Sequence, residues 1–498
     1  MSLSPSLILI VIMTYFLVLI IISFITGRSS TREDFYIGGK NSPWLLVAVG
    51  MIGASLSGVT FISIPGVVGK SGINQSFSYM QMVMGYLVGY VIIARVLMPV
   101  YYKMNLTSIY GYLEERFGAY SYKIGAGYFL LSRTIGASFR LYLVAIVLDA
   151  FVLGPMGFEF WHTVAMTILL IWVYTFKGGI KTIVWTDTLQ TVSMLVAVIL
   201  TIFSIAEALN VGLFSIPSLI AEHGYGQWFF FEAGWADPNN FIKQFSSGVL
   251  IALVMTGLDQ DMMQKNLSCR NLKEAQKNMY TFSVVLFFVN ILFLSLGALL
   301  YIYAGSIGVE IPDKTDQLFP MLALNHLPGI IGLSFIVGLI AAAYSSADSA
   351  LTALTTSFSV DILELERDEL KTRKQKDQMS IRIHIGFSIL LFLTILLFDV
   401  INNEAVINNL FEWAGYTYGP LLGLFSFGLL THRKVLDKRV LPVVLLAPVL
   451  SYFINVFSEE LFWGFQFGFL IVALNGLLTF VGLWMISSPQ IHTKHIEV

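Results

Sequence analysis

The chain has 498 residues, of which 56% are hydrophobic and only 12% are charged, with a formal net charge of −2 at pH 7. This balance excludes an ordinary soluble domain and predicts an integral membrane protein. The near-neutral charge, with no basic cluster, gives no reason to expect a nucleic-acid partner. The single cysteine, Cys269, excludes an internal disulfide and a four-cysteine metal site, and the seven histidines show no metal-ligand spacing.

Long apolar runs divide the chain into predicted membrane spans. At about 20 apolar residues per crossing, we expect an all-α protein with thirteen transmembrane helices. They lie near residues 6–26, 43–66, 76–100, 121–151, 158–176, 182–205, 243–263, 278–304, 328–358, 380–400, 405–430, 438–456 and 461–486. The first run lacks a charged flank and is too long for a signal peptide, so we expect no cleavage there.

Basic residues in the loops predict the orientation. The loops after odd-numbered spans contain Arg28, Arg32, Lys40, Lys103, Arg116, Lys123, Lys177, Lys181, Lys265, Arg270, Lys273, Lys277, Arg367, Lys371, Arg373, Lys374, Lys376, Arg382, Arg433, Lys434, Lys438 and Arg439. The intervening loops contain only Lys70, Lys243 and Lys314. Because basic residues collect on the cytoplasmic side, we expect an outside N-terminus and a cytoplasmic C-terminus in the plasma (inner) membrane. The acidic and aromatic loop 206–242 is expected to be an external interfacial cap.

Three predicted spans contain residues that disfavour a continuous helix. The second span, Gly50-Met-Ile-Gly-Ala-Ser-Leu-Ser-Gly-Val-Thr-Phe-Ile-Ser-Ile-Pro65, combines glycines, four hydroxyl residues and a proline. Such a segment can unwind, which frees carbonyls for a cation and presents hydroxyls to a substrate; a small-residue packing face is the alternative. Similar interruptions are predicted at 256–261 in the seventh span and at 415–420 in the eleventh.

The fourth span contains two arginines on one helical face. Arg133 and Arg140 are seven residues apart, and Arg140 is near the middle of the span. A guanidinium at that depth keeps its charge and needs a carboxylate, carbonyls or water. One alternative is a structural ion pair with Asp187 or Asp348, and the other is binding of an anionic substrate.

The ninth span has a polar stripe at membrane depth. At 100° per residue, Ala342, Ser345, Ser346 and Ser349 fall on one face, which Asp348, Thr352 and Thr356 border. Serines alone could serve helix packing, but a carboxylate among several hydroxyls favours a cation path. Asp187, just inside the sixth span, either caps a helix end or attracts a cation that leaves inward.

Together these segments resemble the sodium/solute symporter family, which includes sodium–glucose and sodium–sialic acid transporters. The matching motifs are Ser-Leu-Ser-Gly-Val-Thr-Phe (55–61), Gly-Gly…Trp-Thr-Asp (178–187), Asp259-Gln…Gln264 and the segment 341–361. The resemblance covers nearly the whole chain and implies a five-plus-five inverted repeat, the LeuT-like fold. It divides the chain into an N-terminal helix and loop (1–42), a first repeat (43–205), an external loop (206–242), a second repeat (243–430) and two C-terminal helices with a tail (431–498).

The resemblance also implies one or two sodium sites. The first would use the carbonyls of Gly53, Leu56 and Ala342 and the hydroxyls of Ser345 and Ser346. The second, which only some members have, would use Asp187, Ser345, Asp348 and Ser349. This chain departs from the family at Asp348, where a hydroxyl residue is common. The extra carboxylate either strengthens a second sodium site or holds a proton, and the sequence leaves both open.

The substrate positions look most like those of the sialic acid branch. They are Ser55, Ser57, Thr60, Phe77, Gln81 and Arg140. In this resemblance Arg140 meets the substrate carboxylate, with Arg133 as a possible substitute, and Phe77 either covers the substrate or only packs. We therefore expect sodium-coupled uptake of a small polar solute by alternating access, with a carboxylated sugar such as sialic acid as the best candidate. The alternative is a neutral sugar or polyol, with a structural Arg140.

Other classes of membrane protein fit less well. A channel would need a pore-lining ring or a repeated filter segment, and neither is visible. A membrane enzyme would need a catalytic cluster, whereas the histidines are scattered, so we expect no enzyme activity. A sensor would carry a signalling domain, and only a short tail follows Ser487. The expected partners are the solute, sodium ions and membrane lipid, and we expect a functional monomer.

Overall fold

A computed structural model shows an almost entirely helical protein. It describes residues 5–26, 38–69, 75–175, 179–232, 234–401 and 406–489. Five positions used in the sequence analysis lie outside the described residues: Arg28, Arg32, Lys70, Lys177 and Gly178.

The helices of the first part of the chain alternate with short connections. They are α1 (Pro5–Thr26), α2 (Trp44–Ser55), α3 (Gly58–Val67), α4 (Tyr79–Ile92), α5 (Met98–Lys103), α6 (Gly111–Arg116), α7 (Ala119–Leu148), α8 (Phe160–Thr175) and α9 (Gly179–Ala208). A π-helical turn at Ile93–Leu97 joins α4 to α5, and another at Asp149–Leu153 follows α7. The external loop then follows α9.

The rest of the chain continues the same pattern. Its helices are α10 (Ile216–Glu222), α11 (Phe241–Ala252), α12 (Gln260–Leu267), α13 (Leu272–Ser306), α14 (Leu318–Asn325), α15 (Gly329–Ser357), α16 (Arg373–Ile401), α17 (Val406–Leu430), α18 (Val440–Val456), α19 (Ser458–Leu461) and α20 (Ile471–Met485). Two short strands, β1 (Lys434–Val435) and β2 (Ser487–Ser488), pair in antiparallel fashion.

The number of crossings is close to the prediction but does not confirm it. Among the described residues, nine helical segments are long and apolar enough to cross a membrane, and two bent helix pairs raise this to eleven. The fifth and eleventh predicted spans coincide with α8 and α17, which are outside this set of eleven. Thirteen crossings therefore remains a prediction.

The first helix break lies within the second predicted span. α2 and α3 meet at a bend of 55°. The Leu56 amide still donates to the Ile52 carbonyl at 2.8 Å, and helical bonding resumes when the Phe61 amide donates to the Ser57 carbonyl at 3.0 Å. Because the last carbonyls of a helix lose their helical donors, the break exposes backbone oxygens. The predicted interruption is confirmed here.

The second break, in the seventh predicted span, separates α11 from α12 by a bend of 64°. Tyr101 and Tyr110 hold its open backbone by donating to the carbonyls of Gly257 and Leu258 at 2.9 and 3.0 Å. Asp259 accepts from the first-turn amides of α12 and so caps that helix. This predicted interruption is also confirmed, and both breaks open toward the middle of the bundle.

The predicted interruption at 415–420 is wrong, because α17 runs through it without a break. Pro420 cannot donate to the Tyr416 carbonyl, four residues earlier. Instead, Asn475 on α20 donates to that carbonyl at 2.9 Å, which replaces the missing bond. Glycines at 415 and 419 allow the close approach, since a Cβ there would collide with Ile471 and Asn475. The glycines serve packing between two helices.

α15 is the most deeply buried of the long spans, whereas α1 and α18 lie at the periphery. Its side chains pack against α9, α7 and the two halves of the first broken span. The polar stripe predicted on the ninth span is therefore in the middle of the protein, since Ser345, Ser346, Asp348 and Ser349 are almost completely inaccessible to solvent.

Candidate substrate and cation site

A cavity of about 80 Å³ lies between the two helix breaks. The first break contributes Ser55, Ser57 and Thr60, the π-helical turn Leu253–Gly257 after α11 contributes Thr256, and α13 contributes Asn290. The remaining wall is aromatic and aliphatic, and includes Tyr79, Tyr86, Tyr90, Met255, Leu410 and Phe411. A concave site with a few polar groups and an apolar wall is typical of small-molecule binding.

Arg140 also lines this cavity. Its side chain is 7% exposed, and the guanidinium nitrogens Nε and Nη1 have no hydrogen-bond partner among the described residues. The ion pair with Asp187 or Asp348 that the sequence left open is not present. A buried guanidinium with unused donors is costly unless another group accepts from it. Two donors of Arg140 are therefore left for an acceptor from outside the protein.

Arg133, two helical turns earlier on α7, also lines the cavity, but its guanidinium has partners within the protein. Its Nη2 donates to a carboxylate oxygen of Asp261, and its Nη1 lies 3.9 Å from Asp259 Oδ2. Both acids belong to the second break, and Tyr418 also donates to Asp259 Oδ2 at 2.5 Å. The protein thus balances the charge of Arg133 and uses it to fix the second break against α7.

Phe77 and Gln81 do not line the cavity. Gln81 donates to the Asn239 carbonyl at 2.8 Å and accepts from the Phe230 amide at 3.1 Å. The Phe77 ring packs 5.9 Å from the Trp228 ring, centroid to centroid. Their contacts fasten the 206–242 loop over α4, so of the six predicted substrate residues the structure brings together four: Ser55, Ser57, Thr60 and Arg140.

The residues predicted for the first sodium lie where α2 meets α15, and all five are buried. A Cβ added at Gly53 would lie 3.0 Å from Ser345 Oγ, so the α2 backbone passes directly against that hydroxyl. One turn of α15 brings Ser346 Oγ within 3.2 Å of the Ala342 carbonyl, to which it donates. Leu56 completes the set at the break itself. Oxygen-only ligands suit a hard cation such as sodium.

Asp187 is the centre of a second buried cluster. Ser345 Oγ donates to its Oδ1 at 2.8 Å, and Ser349 Oγ is 3.5 Å from its Oδ2. Lys265 Nζ donates to the same Oδ2 at 2.7 Å. Asp348, equally buried on α15, accepts from the Ser349 amide at 2.5 Å. The structure thus gathers Asp187, Ser345 and Ser349 as predicted, but with an ammonium among them.

Lys265 is the residue of this cluster that the sequence does not place in the site. The predicted loop after the seventh span includes it, yet its side chain is 1% exposed and lies inside the bundle. The balance of charges near the spans is a signal for it. The sixth predicted span contains Asp187 and no basic residue. The seventh contains Asp259 and Asp261 with one lysine, Lys243, at its other end, and Lys265 is two residues beyond its predicted end.

The predicted cytoplasmic side carries an ion pair that contrasts with these buried ones. Both terminal nitrogens of Arg367 donate to the two carboxylate oxygens of Glu114, each at 2.7 Å. The hydrogen bonds from Arg367 lower the pKa of Glu114 below its usual value. The Arg367 side chain is 59% exposed, so water and salt screen the pair.

The fold agrees with comparisons to known proteins. The profile of the "Sodium:solute symporter family" matches residues 35–435. The chain is 26% identical to a sodium/sialic acid symporter of Aliivibrio fischeri, over 92% of this chain and 89% of that protein. It is also 26% identical to the human sodium/iodide cotransporter, over 81% of this chain and 62% of that protein.

A solved structure of a Na⁺-coupled sialic acid symporter, in a substrate-bound outward-open state, superposes with a TM-score of 0.80. The alignment covers 96% of this chain and 97% of that one, at 20% identity. It confirms the predicted all-α, LeuT-like fold class.

Proposed function

Because the chain belongs to the sodium:solute symporter family, with sodium as its coupling ion, we propose that its solute is a small carboxylated molecule, specifically a sugar acid such as a sialic acid. Arg140 would bind the carboxylate, while Ser55, Ser57 and Thr60 would bond to hydroxyl groups. We further propose that the protein acts as a transporter only, without enzyme activity.

One observation carries this proposal: Arg140 lines the cavity, and two of its guanidinium nitrogens have no hydrogen-bond partner among the described residues. A planar guanidinium donates two parallel hydrogen bonds to a carboxylate, and the pair also cancels both charges. The neutral-solute alternative needs an acidic side chain for Arg140. Asp261 is already paired with Arg133 and Asp187 with Lys265, while Asp259 accepts from Tyr418 and lies 3.9 Å from Arg133.

The relatives support an anionic solute. Sialic acid and iodide are the solutes in the names of the two relatives described above, and both are negatively charged in neutral water. A cavity with a buried guanidinium and without a lining carboxylate is suited to either. The hydroxyl groups at the first break favour the sugar acid over the simple ion.

A second candidate is a smaller monocarboxylate with fewer hydroxyl groups. The observation that favours it is the cavity wall formed by Tyr79, Tyr86, Tyr90, Leu410 and Phe411, which offers more apolar than polar surface. Tyr79 and Tyr86 already bond to each other through their hydroxyls at 3.1 Å. Competition between sialic acid and short aliphatic acids for the same site would rank the two candidates.

Sodium would act through the contact of α2 with α15. An ion bound by Gly53, Leu56, Ala342, Ser345 and Ser346 joins the first helix break to the central helix. It stabilises the substrate-competent conformation to the extent that it binds that conformation more tightly. This proposal also includes the substrate and sodium residues named above, the repeat boundaries 43–205 and 243–430, and the thirteen crossings.

We also propose a plasma-membrane location, an external N-terminus, a cytoplasmic C-terminus and a functional monomer in contact with lipid. Removing the buried Lys265 from the count of loop charges leaves Arg270, Lys273 and Lys277 in the same loop. The positive-inside pattern therefore still predicts this orientation.

The test compares an acid with its methyl ester. Purified protein in sodium buffer should be stabilised by sialic acid in a thermal-unfolding assay, and much less by its methyl ester, which keeps the hydroxyl groups but loses the charge. Proteoliposomes should accumulate the labelled acid only with an inward sodium gradient. Equal stabilisation by acid and ester would contradict the carboxylate role of Arg140.

A further inference from the structure

The second cation position implied by the family resemblance already contains a cation from the protein. Lys265 Nζ lies 2.7 Å from Asp187 Oδ2, and the two side chains are 1% and 0% exposed. A lysine this deeply buried is uncommon unless it is paired. The short ammonium–carboxylate distance is that of a charge-assisted hydrogen bond.

The ammonium shares its carboxylate with the two predicted hydroxyl ligands. Ser345 donates to Asp187 Oδ1, and Ser349 approaches the same Oδ2 that Lys265 uses. Ser345 and Ser349 therefore contact a carboxylate that already has an ammonium partner. These residues do not fit a further cation while Lys265 is present, because the ammonium takes the Oδ2 atom that the ion would need and, at such a short distance, would repel a sodium ion.

We propose that the ammonium of Lys265 is a tethered cation in place of a second sodium, so that the transporter carries one sodium per solute. The inference rests on the proposed function for its meaning in transport. The Asp187–Lys265 pair also connects two helices, as a bound ion would. Asp187 is on α9 in the first predicted repeat, and Lys265 is on α12 in the second.

Removing the ammonium should create the second site. In Lys265→Met, the carboxylate of Asp187 keeps its two serines and loses its counter-charge, so sodium becomes the available partner. Lys265→Arg keeps a tethered cation, and the double variant Asp187→Asn/Lys265→Met removes both charges together. Neither control should bind a second sodium.

The experiment counts sodium ions without any solute. Equilibrium binding of ²²Na⁺ to purified protein should give one ion per chain for the wild type, two for Lys265→Met, and one for each control. The folded state of every variant is checked by its cooperative thermal unfolding in sodium buffer. This readout does not depend on knowing the solute.

Two ions bound to the wild type, or one ion bound to folded Lys265→Met, would overturn the inference. If Lys265→Met does not fold, the wild type and the charge-free double variant decide: one ion on each supports the inference, and two ions on the wild type or none on the double variant contradicts it. A wild type that binds one sodium but moves no carboxylated solute would instead contradict the proposed function.

Discussion

The Asp187 cluster and the Arg140 cavity both place charge in the middle of the bundle, but the protein balances only one of them. Asp187 meets Lys265 at 2.7 Å with two serines beside it. Arg140 has two guanidinium nitrogens without a hydrogen-bond partner among the described residues. The Asp187 carboxylate thus has a counter-charge before anything binds, whereas Arg140 at the cavity has no counter-charge in hydrogen-bond contact.

This difference separates structural charge from functional charge. A buried ion pair satisfies itself and holds two helices in register, while a buried single charge costs free energy until a ligand neutralises it. The same contrast appears within α7, where Arg133 is paired with acids of the second break and Arg140 is not. Arg140 is therefore the group that we propose a substrate neutralises.

The largest expected effect comes from removing the ammonium that is paired with Asp187. Without sodium, Lys265→Met should lower the free energy of unfolding by about 3–5 kcal/mol, because it leaves a buried carboxylate without its partner. Sodium should restore part of this loss, and Lys265→Arg should lose less. Thermal or chemical unfolding with sodium or potassium measures the difference. If sodium stabilises Lys265→Met over potassium no more than it stabilises the wild type, the carboxylate does not recruit sodium.

The second-largest expected effect concerns the charge of Arg140. Arg140→Ala should weaken acid binding at least hundredfold, about 2.7 kcal/mol, and leave the fold intact because no protein partner is lost. Arg140→Lys keeps the charge but cannot donate the two parallel hydrogen bonds of a guanidinium. We expect it to weaken acid binding at least tenfold, about 1.4 kcal/mol. Substrate titrations in sodium buffer measure both. Arg133→Ala is the matched control.

The Arg133→Ala control should show the opposite pattern to Arg140→Ala, with the larger effect on stability and the smaller effect on acid binding. It removes the partner of Asp261, so its effect should fall mainly on the free energy of unfolding. A loss of stability in Arg140→Ala as large as that in Arg133→Ala would mean that Arg140 is structural, and the neutral-solute alternative would then be preferred.

A smaller effect is expected at the first sodium site. Ser346→Ala removes one hydroxyl ligand and should raise the sodium concentration for half-maximal uptake several-fold, equivalent to about 1 kcal/mol. Ser334→Ala on the same helix is a suitable control, because its hydroxyl bonds only to the Ile331 carbonyl of its own turn. An unchanged sodium dependence in Ser346→Ala would remove Ser346 from the site.

The smallest effect belongs to the exposed pair of Glu114 and Arg367. Because this pair lowers the pKa of Glu114, its contribution to stability is present above the usual carboxyl pKa and is lost as the pH falls through the lowered value. Glu114→Gln should cost less than about 1 kcal/mol at neutral pH, with the difference from the wild type disappearing in acid. Unfolding curves at several pH values test this. A loss as large as that of Lys265→Met would contradict the distinction between exposed and buried pairs.

The two confirmed helix breaks were predictable because their cause is local. Glycine and hydroxyl residues at 50–60 weaken the helix wherever the segment lies, and Asp259 at the second break supplies a cap for the next helix. The similar pattern at 415–420 gave a wrong prediction, because Asn475 on another helix restores the bond that Pro420 cannot make. A local pattern cannot show whether a distant side chain will compensate for it.

The sequence by itself determined the membrane class, the two broken spans, the polar stripe of α15 and the presence of Arg140 at membrane depth, because composition and helical period are properties of neighbouring residues. Only the tertiary structure decided which charges are paired. Asp187 and Lys265 are 78 residues apart, and Arg133 and Asp261 are 128 apart. Helix packing brings such residues together, and it gave partners to Asp187 and Arg133, while two nitrogens of Arg140, which lines the cavity, have no hydrogen-bond partner among the described residues.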